Sequence, residues 1–238
     1  MFDLCLHIYA PGHADPMLKT FQPICDRVEQ ILISVPEGNT QAMKMALSHA
    51  DMAHKATVIG VGNTYNDWAG FLALLGEVQS DRMLFGNDSL INRRLIRKAD
   101  IVQLADLVEN ASRPSLIGEL DTARASVPVA GYSSAAWVSS FLFGLTMGNG
   151  LNAQGLRQHL LADCQSIPSA TREVFLAFLA ARRRALLDAN PDGGGKLYAM
   201  YLERLLTHHA AAHEFEIVSQ YGGNWNRKVR RLAESKFL

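Results

Sequence analysis

The sequence predicts an α/β protein in which a mostly parallel sheet, flanked by helices, precedes a helical C-terminal part. Segments typical of strands and helices alternate through the first 150 residues, which is the pattern of βαβ units. From about Leu151 onward the hydrophobic period is helical. The 238 residues, 48% of them hydrophobic, suffice for a large core. We therefore expect an α/β domain over residues 1–150 and a helical part over residues 151–238 packed on it.

Six apolar segments, several of them rich in β-branched residues, predict the strands of this sheet. They cover residues 2–9, 31–35, 56–61, 82–86, 115–118 and 136–146. Proline and glycine follow the first two segments, and polar turns follow the third and fourth, at residues 62–67 and 87–89. Ligands of parallel sheets bind at the carboxyl ends of strands, so we expect the functional site at these turns.

Helical spacing of apolar residues predicts the connections and the C-terminal part. The predicted helices cover residues 17–28, 40–50, 68–79, 91–104, 151–163, 168–189 and 194–213. The run Asn190-Pro191-Asp192-Gly193-Gly194-Gly195 ends the sixth of these helices, because proline and clustered glycines interrupt a helix.

Charge and cysteine content narrow the class of protein. The 23 Lys and Arg residues balance 23 Asp and Glu residues, so we expect no nucleic-acid partner. Cys5, Cys25 and Cys164 are too scattered for a disulfide framework and suit packing in a reducing compartment. The N-terminus lacks the pattern of a signal peptide, and no apolar run is long enough to span a bilayer. We expect a cytoplasmic protein.

Several common catalytic motifs do not occur in the sequence. Gly60-Val61-Gly62 lacks the third glycine of a dinucleotide-binding fingerprint, so a small-molecule methyltransferase or dehydrogenase is the less favoured alternative. The sequence holds no P-loop, no nucleophile elbow of a hydrolase and no zinc-hydrolase pattern. These enzyme classes are therefore disfavoured.

Acidic and amide residues lie where successive predicted strands end. They are Asn63 and Asp67, Asn87 and Asp88, and Glu119 and Asp121. Hard oxygen ligands of this kind suit Mg²⁺ or Mn²⁺ beside a diphosphate. Asn and Asp also favour turns and helix caps, so spacing alone leaves an ordinary structural role open.

The same segments resemble a known family. Val61-Gly62-Asn63-Thr64-Tyr65-Asn66-Asp67-Trp68 is similar to the Val-x-Asn-x-Gly-x-Asp-Ile segment of the rhamnan-synthesis-F-like glycosyltransferases of bacterial polysaccharide assembly. Met83-Leu84-Phe85-Gly86-Asn87-Asp88-Ser89 resembles that family's apolar strand ending in Asn-Asp-Ser, and Gly118-Glu119-Leu120-Asp121-Thr122 resembles its Gly-Leu-Thr-Asp-Ser. The resemblance covers about residues 56–160.

The resemblance implies a GT-A-like fold that binds a nucleotide sugar. The residues that it implies for donor binding are Asn63, Asp67, Asn87, Asp88 and Ser89. Asp88 is also the residue implied for a divalent cation, Mg²⁺ or Mn²⁺. An inverting transfer needs a carboxylate base for the acceptor hydroxyl. Asp121 is the first choice for this base and Glu119 the second, since residues two apart on an extended chain share a side.

The expected function is therefore transfer of a sugar, for example a deoxyhexose such as rhamnose, from a nucleoside diphosphate to a saccharide or lipid-linked acceptor. The alternative is a catalytically silent glycosyltransferase-like module that serves as a binding partner. This alternative rests on Asn87-Asp88-Ser89, which contains only one acid where many such enzymes have an Asp-x-Asp pair.

The C-terminal tail carries a local excess of positive charge. Residues 225–236 include five basic residues and one acidic residue, Glu234. The basic residues are Arg227, Lys228, Arg230, Arg231 and Lys236. A solvated helix face is one interpretation. The other is peripheral contact with the inner membrane or with a synthase complex, because basic residues attract anionic lipid.

Overall fold

The computed structural model describes residues 1–48, 53–62, 67–92, 97–122, 136–165 and 194–221, with single helical positions between 169 and 188. The strands are β1 (Phe2–His7), β2 (Val28–Pro36), β3 (Ala56–Val61), β4 (Arg82–Asn87), β5 (Ser115–Thr122), β6 (Ala136–Thr146) and β7 (Glu216–Ser219). The helices are α1 (Ala14–Phe21), α2 (Thr40–Leu47), α3 (Asp67–Leu75), α4 (Ser89–Asn92), α5 (Lys98–Asn110), α6 (Ala153–Gln165) and α7 (Gly194–Ala212). Short 3-10 turns cover Pro11–His13, Gln22–Arg27, Glu37–Asn39 and Ala53–Lys55.

The seven strands form one sheet in the order β3-β2-β1-β4-β6-β5-β7. Strand β6 runs antiparallel to both of its neighbours, and the other pairs are parallel. The prediction of a GT-A-like, mostly parallel Rossmann-like sheet flanked by helices is confirmed. All strands except β6 therefore end at the same edge, which we call the carboxyl edge.

Each face of the sheet carries its own apolar layer. Cys5, Phe85 and Phe143 stand in one row across β1, β4 and β6 and face α3, α6 and α7. The neighbouring row, which includes Leu4 and Leu84, faces α1, α2 and α5. Because helices cover both faces of the sheet, alternate residues of a strand are buried on opposite sides. The central strands are therefore apolar almost throughout.

Aromatic rings fill the centre of the layer under α3. The ring of Phe71 on α3 lies 5.1 Å from Phe85 and 5.3 Å from Phe143, and Trp68 lies 5.1 Å from Phe71. Ring pairs at these separations add to the burial of their apolar area. Helix α3 thus packs on β1, β2 and β3, and the ring of Phe71 extends the contact to β4 and β6.

Most predicted elements coincide with those observed, and several bounds differ. The helix predicted at 17–28 is α1 followed by a 3-10 turn, and β2 already begins at Val28. The helix predicted at 168–189 lies largely outside the described residues. The predicted helix at 91–104 is divided into α4 and α5. The strand predicted to end at residue 118 continues to Thr122 as β5. Strand β7 was missed, although it pairs with β5. The division at residue 150 into two parts stays a prediction.

None of the helices that the structure describes is long and apolar enough to cross a bilayer. The basic tail at 222–238 lies outside the described residues.

Candidate functional site

The order of the strands reverses between β1 and β4. From β1 the chain continues to β2 and β3 on one side, and it then crosses to β4 on the other. In open α/β sheets such a switch point is where ligands bind, in the crevice at the carboxyl ends of the strands. The final residues of the two strands, His7 and Asn87, pair with each other. The loops that follow them form the candidate site.

Asp88, directly after β4, holds the loop after β1. Its Oδ2 accepts hydrogen bonds from the backbone N–H groups of Tyr9 and Ala10, at 2.9 and 3.3 Å. Nδ1 of His13 lies 2.8 Å from the same oxygen, and it must donate because a carboxylate oxygen only accepts. The N–H of Asp88 donates to the carbonyl of His7 at 3.0 Å. One carboxylate thus joins the two strand ends of the switch point.

A buried polar pair lies beside this loop, on the face of the sheet covered by α3. Nδ1 of His7 on β1 lies 3.0 Å from Oγ of Ser34 on β2, and both side chains are buried. Helix α3 approaches the pair at Gly70, where an added Cβ would lie 2.2 Å from Nδ1 of His7 and 2.5 Å from Oγ of Ser34. Only glycine allows the helix to approach these two side chains so closely.

The loop after β1 presents an exposed aromatic ring at the carboxyl edge. Tyr9 is 54% exposed, while its carbonyl accepts a hydrogen bond from Nδ2 of Asn39 at 2.9 Å. Asn39 directly precedes α2, in the connection after β2. A tyrosine ring held through its backbone in this way can stack on a flat ligand.

Asn87 and Ser89, both predicted to bind the donor, lie on either side of Asp88. Asn87 is buried, and its Oδ1 accepts a hydrogen bond from the N–H of Ser89 at 3.1 Å. This contact stabilises the turn from β4 into α4, which is the local role that Asn side chains favour in turns. Their part in donor binding stays a prediction.

The two predicted catalytic carboxylates, Glu119 and Asp121, belong to β5 itself and not to the connection after it. Glu119 is half-buried. The strand register shifts between Gly118 and Leu120, so the expectation that residues 119 and 121 share a side stays a prediction.

Asp88 and Asp121 lie on the same side of one row of the sheet. Phe85 of β4 and Gly118 of β5 stand in that row through Phe143 of β6, and each acid follows its row residue toward the carboxyl edge, with the register shift of β5 between the row and Asp121. Two strand spacings separate β4 from β5 by about 10 Å. The structure thus places both acids at the carboxyl edge with one strand between them.

The third pair of predicted site residues is described only in part. Asn63 lies outside the described residues, and Asp67 begins α3 without a described side chain. Among the described residues, no three His, Cys, Asp or Glu side chains form a group that could hold a metal ion. Metal binding by Asp88 therefore stays a prediction.

A second group of titratable side chains lies between α6 and α7. Nε2 of His209 is 2.8 Å from Oδ2 of Asp163, and the ring of His159 lies 5.3 Å from His209 and 5.6 Å from His213. Burial lowers the pKa of His209, while Asp163 opposes this effect and the neighbouring imidazoles, including His208, add to it.

Comparisons with known proteins return fold similarity without close relatives. No protein-family model matches the chain, and no curated protein matches it. A solved structure of 4-diphosphocytidyl-2C-methyl-D-erythritol synthase from Anaerococcus prevotii is similar at a TM-score of 0.46 and 9% identity, over 68% of this chain and 77% of that one. 2-C-methyl-D-erythritol 4-phosphate cytidylyltransferase from Thermus thermophilus is similar at a TM-score of 0.39 and 12% identity, over 98% of both chains.

The sequence analysis missed the partners of Asp88. Tyr9, Ala10 and His13 follow the first predicted strand, so the rule that located Asp88 at the end of β4 also applies to them. Pro11 and Gly12 predict the end of the first strand and carry no signal for a ligand. The contact itself joins residues 75 to 79 positions apart, and local patterns carry no signal for it.

Proposed function

We propose that the chain is a glycosyltransferase similar to the rhamnan-synthesis-F-like family, and that it binds a nucleotide sugar between the ends of β1 and β4. It moves the sugar, for example a deoxyhexose such as rhamnose, to a saccharide acceptor in bacterial surface polysaccharide synthesis. The observation that supports this proposal best is the position of Asp88. Its carboxylate lies at the switch point of the sheet and organises the loop that would contact the donor.

The carboxylate oxygens of Asp88 suit a divalent cation. Mg²⁺ and Mn²⁺ take carboxylate oxygens, and within the described part of the chain every side-chain hydrogen bond of Asp88 uses Oδ2. In this proposal Asp88 holds the cation, which stabilises the charge that develops on the diphosphate leaving group. Asn63, Asp67, Asn87 and Ser89 contact the donor.

The acceptor side of the reaction is assigned to β5. Asp121, on the strand next but one to the strand that Asp88 follows, accepts the proton of the acceptor hydroxyl, and Glu119 is the second choice for this base. The strand between them, β6, would then form the floor beneath the reacting sugar.

A ligand panel tests the class of the site. We expect nucleoside diphosphates to raise the melting temperature, more so with Mn²⁺, while S-adenosylmethionine and NAD leave it unchanged. A ligand at 100 times its Kd stabilises by about 2.7 kcal/mol, which corresponds to about 5–10 °C for a chain of this length. Stabilisation by S-adenosylmethionine or NAD alone would contradict the proposal.

Substitution of Asp88 tests the chemistry. We expect Asp88→Ala to lower transfer by about 100–1,000-fold, the scale of removing one preorganised electrostatic contact. Asp163→Ala is the matched control, because it also removes a carboxylate that lies 2.8 Å from a histidine nitrogen. Near-normal turnover of a folded Asp88→Ala protein would rule out the assigned role.

The second candidate function is a catalytically silent binding module. It is supported by the internal use of Asp88, whose Oδ2 already has three partners. This candidate predicts that a nucleoside diphosphate binds while neither transfer nor hydrolysis of any nucleotide sugar occurs.

A further inference from the structure

Three hydrogen-bond donors converge on one oxygen at the switch point. The N–H groups of Tyr9 and Ala10 and Nδ1 of His13 lie 2.9, 3.3 and 2.8 Å from Oδ2 of Asp88. Consecutive backbone N–H groups that point at one position form a concavity that binds anions. We call these three donors the β1-loop cradle.

The anion now in the β1-loop cradle comes from a distant part of the chain. Asp88 belongs to the turn after β4, whereas all three donors belong to residues 9–13. Because the donors contact only Oδ2, they recognise a single anionic oxygen and no other part of the side chain. A phosphate oxygen offers the same charge and the same acceptor geometry.

The β1-loop cradle is within reach of solvent. The side chain of His13 is 32% exposed and that of Asp88 is 12% exposed, so a ligand can approach from the side of the imidazole. The exposed ring of Tyr9 belongs to the same loop. An incoming anion therefore meets a donor set that already points at one position, and it has only to replace one side-chain oxygen.

Resting on the proposed function, we propose that the β1-loop cradle binds a diphosphate oxygen of the donor and that Asp88 occupies it as an internal substitute until the donor arrives. The same three hydrogen-bond donors thereby contact one anionic oxygen before the exchange and another after it. The exchange also frees the carboxylate of Asp88 at the moment when the diphosphate enters. Tyr9, Ala10 and His13 thereby become donor-binding positions, and His13 is the one whose side chain takes part.

Occupation of the β1-loop cradle by Asp88 should weaken the binding of an external anion. A site that is open for only a fraction of the time binds its ligand more weakly by that fraction. Removing the internal competitor should therefore strengthen anion binding, even though the same change abolishes transfer. A carboxylate that merely supported the ligand site would give the opposite result.

Calorimetric titration with inorganic pyrophosphate in the presence of EDTA tests this exchange. We expect Asp88→Ala to bind pyrophosphate at least about tenfold more tightly than the unaltered protein, and adding His13→Ala to reverse the gain, since one hydrogen bond to a charged group is worth about that factor. Asp163→Ala should bind like the unaltered protein. Unchanged or weaker pyrophosphate binding by folded Asp88→Ala would overturn the proposal.

Asp88→Asn provides a test if Asp88→Ala fails to fold. We expect it to bind pyrophosphate at least about tenfold more tightly than the unaltered protein, because a neutral amide oxygen competes for the three donors less strongly than a carboxylate oxygen does. Equal or weaker pyrophosphate binding by Asp88→Asn would overturn the proposal.

The two proposals fail separately. If folded Asp88→Ala gains pyrophosphate affinity and no nucleoside diphosphate binds, the cradle is supported and the glycosyltransferase proposal is wrong. If a nucleotide sugar binds and is turned over without any gain in Asp88→Ala, the cradle proposal alone is wrong.

Discussion

Gly70→Ala should destabilise the protein strongly, although alanine is the better helix former. The added Cβ would lie 2.2 Å from Nδ1 of His7, so helix or side chain must move by at least 1.2 Å to reach the 3.4 Å of an ordinary contact. Such overpacking costs about 1–3 kcal/mol. Moving His7 also disturbs its hydrogen bond to Ser34, and the loss of one such hydrogen bond costs about 0.5–1.5 kcal/mol.

The gain in helix propensity offsets only part of this loss. Alanine in place of glycine stabilises a helix interior by about 1 kcal/mol. The net expectation for Gly70→Ala is a loss of about 2 kcal/mol, or about 4–8 °C in Tm for a chain of this length. Urea unfolding followed by circular dichroism measures the change in free energy of unfolding directly.

Gly155→Ala on α6 is the matched control. Its added Cβ would meet nothing closer than Oδ1 of Asn152 at 3.3 Å, so the stability should stay equal or rise slightly. If Gly70→Ala unfolds at the same urea concentration as Gly155→Ala, the close approach of α3 to His7 is not a constraint on the fold.

Three further predictions concern other parts of the molecule. In the folded protein, half-buried Cys25 should react with a thiol reagent at pH 8, while Cys5 and Cys164 stay unlabelled until urea is added. Burial raises the pKa of both buried thiols, that of Cys164 to about 12. Equal labelling of all three cysteines would contradict this prediction. Burial lowers the pKa of His209 below its ordinary 6.5, so the unfolded chain binds the proton more readily than the folded protein does. The free energy of unfolding should therefore fall as the pH drops through 6.5. A His209→Gln variant with the same pH dependence would show that His209 is not its cause. Deleting residues 222–238 should abolish flotation with anionic liposomes at low salt and leave nucleotide binding intact, and an unaltered protein that ignores such liposomes would show that the tail has no membrane role.

The sequence was sufficient to predict the body of the sheet. Strands β1 to β6 are apolar runs bounded by proline, glycine or polar turns, and these local signals do not depend on the partner strand. Strand β7 has only four residues, and it exists because β5 offers an edge. Gln220, directly after β7, helps to hold the strand in position. Its Nε2 donates a hydrogen bond of 2.6 Å to the carbonyl of Asp100, 120 residues earlier in the chain.

The location of the candidate site could be predicted from the sequence, but the contacts within it could not. The polar turn at Asp88 was expected at a strand end, and the structure places it there. That His13 would be its partner depends on which strand lies next to β4, and no local pattern encodes this order. The extension of β5 through Asp121 likewise depends on pairing with Trp137 of β6.

The late position of β7 has a consequence for synthesis on the ribosome. Strand β5 is complete at residue 122, but its parallel neighbour emerges only at residues 216–219. At 5–20 residues per second, roughly 5–20 s separate the two events. During that interval the nascent chain displays the outer edge of β5 without β7, and an unpaired edge is a template for strands of other chains. We expect polysomes that make this protein to depend most on chaperones in that window, and a chain truncated before residue 216 to aggregate through β5.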